Sequence, residues 1–187
     1  MKNFTEEINA YFDKLKKVVD AIDIAQINNL MHLLIDALQE ERQIFIMGNG
    51  GSAATASHFV CDFNKGLSGD AKRFKFICLN DNIPTMMAYA NDISYEEVFV
   101  GPLKNYFHAG DVVIGISGSG NSKNVIKAIQ WGNENRGITV GITGYDGGML
   151  KQITAHQVHI PVDDMQIVED LHMVLDHCMM KILYNHL

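Results

Sequence analysis

QIFIMGNGGS at 43–52 and DVVIGISGSGNS at 111–122 decide how this chain folds. Each is a short apolar run that stops in glycine and serine and leads into residues at helical spacing. Run, tight turn and helix make a βα unit. The runs are apolar throughout rather than alternating, as expected of strands covered on both faces in a parallel sheet. Working outward, FKFICL at 74–79, GITVGITG at 137–144 and HQVHIPV at 156–162 supply three more strands. Helical spacing fills the intervals at 52–65, 83–90, 94–107, 122–135 and from about 166 to the end. Strands alternating with helices through right-handed crossovers predict an α/β fold: a five-stranded parallel sheet of flavodoxin-like order 2-1-3-4-5, flanked by helices.

Two helices precede the first strand. Phe4, Ile8, Tyr11, Phe12, Leu15, Val18, Val19 and Ile22 recur at three- and four-residue steps, and Asp23 with Gln26 reads as a cap opening a second helix over 24–40. Their apolar stripes exceed what one five-stranded sheet needs for cover, which points to packing against another subunit. With 187 residues the chain is expected to form a single domain, 1–40 being the helical pair and 41–187 the α/β core.

Composition removes several function classes. A net charge of −7 argues against binding a nucleic-acid backbone. No apolar run approaches the roughly 20 residues of a membrane helix, and the N-terminus has neither signal- nor transit-peptide character. Cys61, Cys78 and Cys178 lie far apart with no CxxC pair, which suits a reducing cytoplasm. A small phosphorylated ligand remains open, because backbone N–H groups at a helix N-terminus hold phosphate without lysine or arginine. GNGGS at 48–52 offers such a start, with Ser52 expected to cap the helix, and SGSGNS at 117–122 repeats the device with hydroxyls on Ser117, Ser119 and Ser122. In this sheet order, strands 1 and 3 flank the switch point where ligands bind.

IMGNGGSAATASHF followed by GISGSGNSKNVIKAI resembles the sugar isomerase (SIS) family of phosphosugar-binding domains. AYANDISYEEVF and VEDLHMVLDH narrow the resemblance to the phosphoheptose isomerase branch, over nearly the whole chain. That branch interconverts sedoheptulose 7-phosphate and D-glycero-D-manno-heptose 7-phosphate, and its members are usually homotetramers with active sites between subunits. The resemblance implies that Asn49, Gly50, Gly51 and Ser52 contact substrate, that Asn91 and Asp92 hold sugar hydroxyls, and that Ser117, Gly118, Ser119 and Ser122 cradle the phosphate. Gly118 stands where a threonine is common.

His58 and Asp62, four apart, share a helix face. The resemblance matches them to a histidine and a glutamate that bind zinc, and Glu169 and His177 to a glutamine and a histidine. Asp62 is one methylene shorter than the family's residue, and Glu169 adds a carboxylate. The implied metal set is thus His58, Asp62, Glu169 and His177, holding about one zinc or other divalent ion per chain. Asp62, Glu169 and His177 are the acid/base candidates for an enediol mechanism, with Glu169 also placed against the substrate. Along a straight helix Glu169 and His177 are about 12 Å apart, so a shared ion requires a late or bent helix or a second subunit. His172 and Asp176 share the face of Glu169, and Asp176 is expected in a salt-bridged surface. Two rivals stand beside this reading: a non-catalytic SIS-domain regulator or replication-initiator-binding adaptor, and the same isomerisation on another phosphosugar.

Overall fold

A computed structural model describes residues 2–66 and 72–186. Helices α1 (Thr5–Asp20) and α2 (Ile24–Gln39) precede strand β1 (Gln43–Gly48), followed by α3 (Gly51–Cys61), which runs on into a π turn at Asp62–Gly66. Then come β2 (Lys75–Cys78), α4 (Ile83–Asp92), a 3-10 turn at Tyr95–Glu97, α5 (Val100–Tyr106) and β3 (Val112–Ser117). The chain closes with α6 (Lys123–Glu134), β4 (Ile138–Thr143), α7 (Gly148–Ile153), β5 (His156–His159) and α8 (Met165–Tyr184). The sheet is parallel, in the expected order β2-β1-β3-β4-β5.

Successive strand residues point to opposite faces, and the core divides accordingly. Ile44, Ile46, Val112, Ile114, Val140 and Ile142 face α2, α3 and α8. Phe45, Met47 and Val113 face α5, α6 and α7. Helices α3 and α6, which leave the two adjacent strands β1 and β3, therefore pack on opposite sides of the sheet.

Sequence and structure differ locally. The carboxylate of Asp23 caps α2 by accepting from Ala25 N at 2.9 Å, but Gln26 does not complete a capping box. Its Oε1 instead accepts from His159 N at 2.9 Å, on the open side of edge strand β5. Edge strand β2 is closed in the same way: the Asn64 amide donates to Phe76 O at 2.9 Å and accepts from Phe76 N at 3.0 Å. Ser52 is not a cap. Gly50 is the N-cap of α3, and Ser52 lies buried inside its first turn. The short helix α7 was not visible in the apolar periodicity, since it has six residues behind a Gly-Gly pair.

α1 buries only Val18, leaving Phe4, Ile8, Phe12 and Val19 about half exposed. It is tied to α8 by a hydrogen bond from the Tyr11 hydroxyl to Asp170 and a 2.6 Å ion pair between Lys14 and Asp164. No single helix among the described residues is long and apolar enough to cross a membrane.

α8 buries Ile167, Val168, Leu171, His172, Leu175, Asp176, Met179 and Leu183, a continuous helical stripe. His172 is 1% exposed and its Nε2 meets Thr143 O at 3.3 Å, joining α8 to the end of β4. Burial pushes its imidazole down to about 4 from 6.5. The folded chain thus disfavours the proton that the unfolded chain accepts, so the stability tied to neutral His172 is complete above 6.5 and is lost as pH falls toward 4. The loss should reach about 3 kcal/mol. Urea unfolding between pH 7 and 4 should show a steep fall for the parent chain and a shallower one for His172→Leu; equal slopes refute the assignment.

Candidate active site at the switch point

The β1–α3 turn is built on close approach. A Cβ on Gly48 would lie 2.6 Å from Ser52 O, so the helix folds back directly over the strand end. Gly50 sits at φ +54°, a conformation that a side chain disfavours. Ala53 and Ala54 N–H bond back to Gly50 O at 3.0 and 3.2 Å, and the amides before them belong to the open end of the helix. Asn80 clamps the strand end, donating to Gly48 O at 2.8 Å and accepting from Gly48 N at 3.2 Å.

The β3–α6 loop is equally constrained. Gly120 has φ +67°, and a Cβ there would run into Gly147 O. Gly120 O in turn accepts from Leu150 N at 2.9 Å, and Gly118 O from Gly144 N at 2.8 Å, so the β4–α7 turn supports the loop from behind. The Ser117 hydroxyl donates to Ser122 Oγ at 3.1 Å, and Ser119 Oγ accepts from Asn121 N at 3.2 Å. Ser122 is the N-cap of α6, yet its side chain accepts no helix amide. The hydroxyl and first amides of α6 thus share one end of the helix with its positive dipole. Where Gly118 lacks a Cβ, the sulfur of Met165 fills the space.

The two loops are fastened together. Asn49 and Asn124 exchange reciprocal amide hydrogen bonds of 2.9 Å, and the Tyr95 hydroxyl donates to Asn49 Oδ1 at 2.9 Å. The side chain of Asn49, expected at the substrate, is thereby committed to bridging the gap between α3 and α6. Asn124 and Tyr95 went unrecognised in the sequence, although an asparagine buried in the first turn of α6, beside Val125, is a signal of its kind.

Beyond the loops, α3 and α8 bring a polar cluster together. His58 Nε2 lies 3.0 Å from His177 Nε2 and 3.6 Å from Asp62 Oδ1. Asp62 opens the π turn, which is anchored by buried Phe63 against Phe59 and Phe76, with ring centroids 5.7 and 4.9 Å away. Asp176 joins this group, and one ligand atom from each of His58, Asp62, Asp176 and His177 lies within 4.8 Å of the others. Asp176 corrects the expectation of a salt-bridged surface residue: it is 0% exposed and neither carboxylate oxygen has a hydrogen-bond partner. Burial, then the nearby Asp62 charge, push its carboxyl up to about 7.

Glu169, expected among the metal ligands, stands outside that group. α8 is continuous from Met165 to Tyr184, so Glu169 sits about 12 Å along the axis from His177. Its carboxylate lies against Gly51, in the space a Cβ there would occupy. Asn91 and Asp92 are exposed at the end of α4 and bond to each other at 2.8 Å. Among the described residues neither is hydrogen-bonded to the two loops.

Two glycine-serine loops at helix starts, on either side of the switch point of a parallel sheet, define an α/β protein built to take a small anionic ligand. Over residues 10–144 the sequence matches the SIS domain. The chain belongs to the SIS domain family. It is 34% identical to the phosphoheptose isomerase of Helicobacter pylori (strain ATCC 700392 / 26695), covering 97% of this chain and 94% of that one. It is 32% identical to the phosphoheptose isomerase of Clostridium acetobutylicum, over 100% and 96%. The solved phosphoheptose isomerase from Neisseria gonorrhoeae superposes with a TM-score of 0.90 at 26% identity, covering 99% of this chain and all of that one.

If the amide pair holds the switch point together, Asn124→Ala leaves the buried side of Asn49 unpaired. The expected loss is about 1–3 kcal/mol by chemical denaturation. Tyr95→Phe, removing one bond at the exposed rim, should cost about 1 kcal/mol or less. Equal small effects from both variants would contradict the bridging role.

Proposed function

We propose that this chain is an aldose–ketose isomerase of heptose biosynthesis that interconverts sedoheptulose 7-phosphate and D-glycero-D-manno-heptose 7-phosphate. The observation that carries the reading is the Glu169 carboxylate lying against Gly51, at the mouth between two anion-binding loops. Family membership and the named relatives support the reaction class.

In this reading the phosphate rests at the start of α6, on the hydroxyls of Ser117, Ser119 and Ser122 and the backbone around Gly118. Asn49, Gly50, Gly51 and Ser52 form the wall beside the reacting carbons. Asn91 and Asp92, exposed on α4, serve the sugar hydroxyls in a neighbouring subunit's site. Glu169 takes a proton from C-1 of the ketose as the enediol forms, then returns it to C-2, while the hydroxyl proton passes from O-1 to O-2. His58, Asp62 and His177 suit zinc or a similar divalent ion in donor type and spacing. When bound, such an ion would supply Lewis acidity and positive potential to the crevice. Without it, Asp62 and His177 serve as acid/base groups at that end of the crevice.

The same reading takes the chain as one domain in the cytoplasm, assembled as a homotetramer. The half-exposed Phe4, Ile8, Phe12 and Val19 on α1 are the apolar face available for assembly. Light scattering should give about four times the chain mass of 20.9 kDa; a monomer at micromolar concentration rejects the assembly.

Proton NMR of sedoheptulose 7-phosphate incubated with the protein in heavy water should show the aldose forming with deuterium at C-2. No exchange and no product would reject the function. Gly51→Ala offers a second test, since the backbone there is helical and the three atoms nearest an added Cβ all belong to the Glu169 carboxylate. This variant and Glu169→Gln should each lower kcat by roughly 10²–10⁴-fold with little change in KM or melting temperature. Ser119→Ala combined with Ser122→Ala should instead raise KM about tenfold or more. An unchanged kcat in Gly51→Ala would remove Glu169 from the role of base.

A further inference from the structure

We propose that Asp176 completes a four-ligand cation site with His58, Asp62 and His177 inside one chain, leaving Glu169 free of the ion. This rests on the divalent ion of the proposed function and changes who holds it. The independent sign of a ligand is Asp176 itself. A fully buried carboxylate with both oxygens unpartnered, set in the apolar stripe of α8 between Leu175 and Met179, has no structural reason to be there. Burying a charge without a partner is costly, and a second carboxylate nearby, on Asp62, adds to the cost. A divalent cation removes both costs at once, since two carboxylates and two neutral imidazoles around a 2+ ion sum to zero charge.

The geometry fits. Zinc–ligand bonds of about 2.0–2.2 Å in a tetrahedron place the ligand atoms about 3.3–3.6 Å apart. The His58–Asp62 separation of 3.6 Å falls at the top of that range and the His58–His177 separation of 3.0 Å just below it, and all four ligand atoms lie within 4.8 Å of one another. His58 Nε2 and His177 Nε2 face each other closely, where either one proton or one metal ion must sit between two lone pairs. Asp62 is one methylene shorter than the glutamate implied by the resemblance, and Asp176 supplies a carboxylate from the opposite helix. Glu169 is meanwhile occupied at Gly51, about 12 Å along α8.

The test uses the full-length protein, stripped of metal and titrated with zinc against a chromophoric chelator, with cobalt(II) loading as a second readout. The parent chain should bind about one zinc per chain and give the intense visible bands of four-coordinate cobalt. Asp176→Asn should weaken zinc at least tenfold and lose those bands, as should His58→Ala, while Glu169→Gln stays within about twofold. Asp176→Leu suits the apolar surroundings and guards against misfolding of the asparagine variant; circular dichroism checks both. Unchanged zinc affinity in the Asp176 variants, or its loss in Glu169→Gln alone, overturns the assignment. A parent chain that binds no zinc yet isomerises the sugar overturns it too, and leaves the proposed reaction standing.

Discussion

The structure depends on one pairing, the parallel register of β1 with β3, in which Ile44 meets Val112 and Gly48 meets Ile116. These neighbours are distant in sequence, and their crossover helices leave in opposite directions: α3 packs on the face of Ile44 and Ile46, and α6 on the face of Phe45 and Met47. Only at such a divergence do two helix N-termini open into the same crevice. The Asn49–Asn124 bridge spans the gap the divergence creates, and the phosphate-type loops, the Glu169 carboxylate and the polar cluster are arranged around it.

Much of this could be read from the sequence. Apolar runs without alternation fixed the strands and their parallel sense, and the two glycine-serine turns located the switch point. Short-range chemistry was less legible. Ser52 looked like a cap because serine usually caps, but Gly50 alone tolerates the φ of +54° that this turn requires. The Asn49 partners were hidden because they come from α6 and the segment after α4, and pairings across a fold leave no spacing signature.

Asp176 is the instructive miss. Its place on the helix was legible, since Val168, Leu171, Leu175, Met179 and Leu183 mark a buried stripe on which position 176 falls. Its charge suggests a surface position, whereas the period places it inside. A carboxylate where the period demands a hydrocarbon is itself the signal, because burial of an unpaired charge persists only where something repays it. Glu169 lies eight positions before His177 on the unbroken α8, and its carboxylate sits at Gly51, by the β1–α3 turn.

The amide side chains at the sheet's two margins have a further consequence. Asn64 occupies both backbone hydrogen-bonding groups of Phe76 on the outer side of β2, and Gln26 occupies the outward N–H of His159 on β5. An arriving strand would have to evict a well-aligned amide at either border before it could register. The sheet thus resists a sixth strand at both borders. The positions an extended peptide would use to join the ladder are already taken, so an unfolded or nicked chain finds no ready template on which to grow.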